Sequence, residues 1–87
     1  MKHYILFKCF INDLFNETKI ALMSTTNLDE IEHIYNYFKE ESKVFKNGVV
    51  NKTLSIDERE ELLNLIKSNS REIRNMIYGG GKDNGKN

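Results

Sequence analysis

The chain has 87 residues, 39% of them apolar, and its thirteen basic residues balance thirteen acidic ones. That supports one small core in a single domain, and zero net charge supplies no long-range field to gather nucleic acid or an anionic membrane. One cysteine, Cys9, excludes an internal disulfide and suits a reducing compartment, so a cytoplasmic location is expected.

Residues 3–11 are apolar on both alternating faces. Ile5, Phe7, Cys9 and Ile11 fall on one, and Tyr4, Leu6 and Phe10 on the other. Their aromatic and β-branched content predicts a strand, and alternation places the two sets on opposite sides of a sheet. Lys8 interrupts the run, which is too short and too polar for a signal peptide or a membrane span. Asn12-Asp13 and Asn16-Glu17 read as turn signals, with Leu14 and Phe15 in the loop folded back on the core. Residues 18–24 then read as a second strand, antiparallel to the first.

Asn27 with Glu30, or Thr26 with Asp29, gives a capping-box pattern. Leu28, Ile31, Ile34, Tyr35, Phe38 and Phe45 recur at helical spacing and predict a helix over 28–45, with Asp29, Glu30, Glu32, Asn36, Lys39 and Glu40 on its solvated side. Asn47-Gly48 reads as the C-cap of that helix, or else as the tip of a small hairpin with a short third strand near 49–53. Ser55 and Glu58 form a second capping box. Leu62, Leu63, Ile66, Ile73, Met76 and Ile77 make the apolar stripe of a second helix, with a kink or a restart at Ser68–Ser70. The domain is expected to span 1–78, and residues 79–87, which carry no apolar side chain, to form a disordered tail. The expected fold is thus a small α+β domain of order β-β-α-α, a hairpin packed on two helices.

No motif marks out chemistry. Gly79-Gly80-Gly81-Lys82 follows a helix and lacks the hydroxyl residue of a phosphate loop. Asp29 and His33 share a helix face without a third metal ligand. Cys9 lies within an apolar run, which tends to raise a thiol pKa, and no adjacent base is indicated. No catalytic residue, cofactor or metal is therefore expected. Lys67, Arg71 and Arg74, at i, i+4 and i+7, form the one coherent basic stripe.

Two functional expectations follow. The first is a non-enzymatic protein-binding accessory protein, with Tyr4, Leu6 and Phe10 left for a partner or for a homodimer through the hairpin, and no membrane contact. Lys, Asn and Ile supply 30 of the 87 residues. This AT-rich coding bias suits a low-GC bacterium, its phages or mobile elements, and hence an inhibitor of a host or defence factor, of the anti-CRISPR kind. The second is a small transcription or replication regulator contacting nucleic acid through Lys67, Arg71 and Arg74.

Overall fold

A computed structural model describes residues 2–51 and 53–79; of the tail expected over 79–87, all but Gly79 lies outside them. Three helices follow in order: α1 (Lys2–Met23), α2 (Leu28–Asn51) and α3 (Ile56–Ile77). Every pair of helices is in contact. The connectors are only a few residues long, which sets each helix against the one before it in an up-down-up bundle. Gly48 of α2 lies against Phe7 of α1. Tyr35 of α2 meets Tyr78 at the end of α3. The starts of α1 and α3 are joined by Tyr4 and Glu61.

This corrects the α+β expectation: the described residues contain no strand and no hairpin. The first expected strand and all but the last residue of the second fall in α1, one helix of 22 residues that ends at Met23. The reason lies in the period. Ile11, Leu14 and Thr18 are buried, while Tyr4, Phe7, Phe15 and Leu22 are half-buried. Counted through either member of the adjacent pair Leu14-Phe15, these positions recur every three or four residues, which is one helical stripe. Leu14 and Phe15 belong to it and not to a loop, whereas Asp13, Asn16 and Glu17 are exposed on the outer side. Strand propensity in this run yields to the burial that the helix permits. A dimer formed through a hairpin has no hairpin to use.

The second correction concerns residues 43–53. α2 continues through Gly48 to Asn51, so Asn47-Gly48 is neither a cap nor a turn, and no third strand forms among the described residues. Val49 reaches the core from within the helix and is fully buried. Gly48 permits a close approach of the two helices: a Cβ there would stand 3.0 Å from two ring atoms of Phe7, so the ring would have to give way.

The starts of α2 and α3 follow the capping patterns. Asn27 Oδ1 accepts the Glu30 N–H at 3.1 Å, while the Glu30 carboxylate turns to the Thr25 hydroxyl instead of the Asn27 N–H. At Ser55 the box is reciprocal: its hydroxyl accepts the Glu58 N–H at 3.1 Å, and Glu58 Oε1 accepts the Ser55 N–H at 3.2 Å. α3 runs unbroken through Ser68–Ser70, with Asn69 buried inside the bundle. It ends at Ile77 with Tyr78 as its C-cap, followed by Gly79 at φ 76°. That left-handed position favours glycine and stops the helix.

The core has two parts. Ile11, Val49, Leu54, Leu62 and Ile66 pack at one end of the bundle. Leu14, Phe38 and Ile73 pack at the other. Phe45 lies against both.

Candidate functional site

An open groove of about 620 Å³ lies between α2 and α3. Three of its cations, Lys39, Lys43 and Lys46, come from α2, and two, Lys67 and Arg74, from α3. No acidic side chain lines it. In a chain of zero formal charge, this is a local concentration of one sign.

Helical repeat explains the arrangement. Lys39, Lys43 and Lys46 stand at i, i+4 and i+7, the same spacing as Lys67, Arg71 and Arg74. Each set therefore keeps to one shoulder of its helix, over about 10 Å of axis at 1.5 Å per residue. Lys39, Lys43 and Lys46 on α2 face Lys67 and Arg74 on α3 across the groove as two banks. The floor between them is mixed. Phe38 is buried and Tyr35 and Leu63 are half-buried, while Ser42, Asn64 and Ser70 add polar groups. Lys39 Nζ sits 4.6 Å from the centre of the Tyr35 ring, which holds that ammonium at the mouth. Tyr78, 70% exposed, meets Tyr35 edge to face with centroids 6.3 Å apart, at the Arg74 end.

The residues singled out from sequence divide into three groups. Lys67 and Arg74 line the groove; Arg71 is exposed on α3 but is not among the lining residues. Leu6 and Phe10 are 46% and 48% exposed on α1, near Ile5 at 52%. Phe10 also stacks on Phe45 of α2 at 6.2 Å. Tyr4 is committed elsewhere. Its hydroxyl donates to Glu61 Oε2 and accepts from Lys8 Nζ at 3.3 Å, while Lys8 also pairs with Glu61 at 3.1 Å. Hydrogen bonds from Tyr4 and then Lys8 hold the Glu61 carboxyl below its usual range. Hydrogen bonds to Glu61 and Tyr4 raise the Lys8 ammonium above its own. This cluster ties α1 to α3 and is half-exposed, so it is a modest structural clasp.

Lys39, Lys43 and Lys46 were not singled out from sequence. The signal was their i, i+4, i+7 spacing, hidden because Lys43 and Lys46 fell in the segment read as a helix end or a hairpin.

Among the described residues no group of three or more His, Cys, Asp and Glu side chains is placed to hold a metal ion. Cys9, expected on one face of a strand, lies exposed on α1. No described helix is long and apolar enough to cross a membrane. By architecture the chain is a small three-helix bundle with a cationic groove. Comparison with protein-family models, curated proteins and solved structures finds no match.

Proposed function

We propose that this protein is a non-enzymatic binding module that contacts the phosphate backbone of a nucleic acid through the α2–α3 groove, in the manner of a small regulator. One observation carries the reading: five cationic side chains from two helices converge on one groove free of acidic residues. Phosphate contacts need donors of positive charge at helical spacing along a trough and no reacting groups. Ser42, Asn64 and Ser70 supply neutral hydrogen-bonding partners for the same backbone.

Binding is measured by fluorescence anisotropy with a labelled oligonucleotide over a series of salt concentrations. Five phosphate contacts to a single strand imply a log–log slope of about −3.5, or a loss of about 100-fold between roughly 50 and 200 mM salt. The triple variant Lys43→Ala, Lys67→Ala, Arg74→Ala flattens that slope and keeps its helical circular dichroism, since alanine favours helix. Affinity that is insensitive to salt and to the triple substitution overturns the reading.

A second reading, a protein-directed accessory factor or inhibitor, is favoured by a different observation. Ile5, Leu6 and Phe10 remain about half exposed on the first turns of α1. Large apolar side chains grouped in this way mark contact surfaces in other proteins. Under that reading Leu6→Asp abolishes capture of a protein partner and the basic triple variant does not.

A further inference from the structure

Resting on the nucleic-acid reading, we infer that the groove takes a short stretch of single strand, not duplex, with a base stacked on Tyr78. Three observations support the choice.

The first is where the charges stand. A reader of duplex presents one projecting helix to a major groove about 12 Å wide. Here the cations occupy two facing banks, and Lys67 and Arg74 sit on the shoulder of α3 turned toward α2. The preceding turns of α3 expose Asp57, Glu60 and Glu61. A duplex laid along α3 would meet those carboxylates. A strand kept between the banks meets none.

The second is the floor. Phosphates need only charge, whereas unpaired bases need apolar or aromatic faces. Tyr35 and Leu63, both half-buried, provide such a surface between the banks, above the buried Phe38. A duplex, with its bases already stacked, has no use for it.

The third is Tyr78. It is the most exposed tyrosine that the bundle holds by a ring contact, and it stands beside Tyr35 at the Arg74 end of the groove. Tyr78 does not itself line the groove, but Lys39 lies over its partner Tyr35 and Arg74 stands one turn before it on α3, so a phosphate on either cation brings the adjoining base within reach of its ring. Stacking of this kind tolerates any base, because every base has a π face.

The chain contains no tryptophan, so Tyr78→Trp places a single reporter at the stacking position. This variant is titrated with a short oligothymidylate, with a duplex of equal length and with polyglutamate. In parallel, Tyr78→Leu keeps side-chain bulk at the end of α3 and removes the ring. The expected result is strong quenching of the indole fluorescence of Tyr78→Trp by the single strand, weak quenching by duplex, and a loss of about five- to 100-fold in single-strand affinity for Tyr78→Leu. If both oligonucleotides bind alike and Tyr78→Leu changes neither, nucleic-acid binding stands and the single-strand inference falls. If neither binds, or polyglutamate binds more tightly than both, the nucleic-acid reading falls with it.

Discussion

Gly48 shows how one residue sets the distance between two helices. Alanine there would gain about 1 kcal/mol of helix propensity. Against this, its Cβ would stand 3.0 Å from Cε1 and Cζ of Phe7, a ring already packed on the core, and overpacking costs about 1–3 kcal/mol. The clash wins, so Gly48→Ala lowers the midpoint of denaturant unfolding. In a Phe7→Leu background the ring is gone and the same substitution raises the midpoint; an unchanged sign would remove the steric account. The Tyr4–Lys8–Glu61 clasp makes a prediction of pH dependence. Glu61 is held below its ordinary value of 4.5, so its contribution is present above that value and is lost as pH falls through the folded pKa. Lys8 is raised above 10.5, so its contribution is present below that value and is lost as pH rises through the folded pKa. Between those limits both are in force. Glu61→Gln therefore lowers the melting temperature slightly at about pH 7, and the difference shrinks at acid pH as wild-type Glu61 itself takes up a proton. Melting curves at the two pH values check this, and an equal difference at both would show that the charge is irrelevant.

Helix starts are where sequence and structure agree most closely, because a cap is a local chemical event. Ser55 and Glu58 satisfy each other's backbone N–H groups across a single turn. Ser55→Ala removes one side of that exchange and is expected to destabilise the protein by about 1 kcal/mol, read from urea unfolding. Its companion Glu58→Ala should couple with it, since each side chain serves the other's backbone; strict additivity in the double variant would deny a reciprocal box. The apolar positions of α2 and α3 were legible for a similar reason, being separated cleanly from polar ones at a period near 3.6. α1 was not legible in that way. Ile5, Leu6, Cys9 and Phe10 are apolar yet exposed, so they blur its stripe and present apolar residues on every side. A period of two fits such a run as well as a period of 3.6 does, and the local β propensity tips the choice wrongly. The corrective signal was further along: residues 1–47 contain neither glycine nor proline, so nothing near Asn12–Asn16 demands a tight turn. The candidate groove was half legible. Lys67 and Arg74 were found on one helix, but the facing bank depended on α2 reaching Asn51, and Gly48 read in isolation argues against that.

At the scale of the whole molecule, the question is whether the two ends of the core form one cooperative unit. Leu62 anchors one end and Ile73 the other, and both are completely buried on the same helix. Phe45 packs on both clusters from α2, and Phe10 stacks on its ring from α1. It is therefore the side chain through which loosening at either end is felt at the other. Truncating Leu62 or Ile73 to alanine should cost about 2–5 kcal/mol each, a large fraction of the roughly 5–15 kcal/mol that holds a small domain together. Such variants should still unfold in one step, because the rest of the core remains joined. Phe45→Ala is different. It removes about 3 kcal/mol of packing and also the bridge between the clusters. Unfolding followed by far-ultraviolet circular dichroism, which reports all three helices, should then separate from unfolding followed by tyrosine fluorescence. Tyr35 packs on the Leu14–Phe38–Ile73 end and Tyr4 on the other, so the fluorescence is read in a Tyr4→Phe background, where the Tyr4 end no longer contributes. Coincident transitions in Phe45→Ala would mean that the helices themselves, each of which contributes a buried residue to both clusters, couple the ends by their own stiffness. The outcome bears on function. Lys39 lies beside the Phe38 end of the core and Lys46 beside Phe45, so a bundle that splits at Phe45 would no longer hold the two ends of the cationic groove in one line.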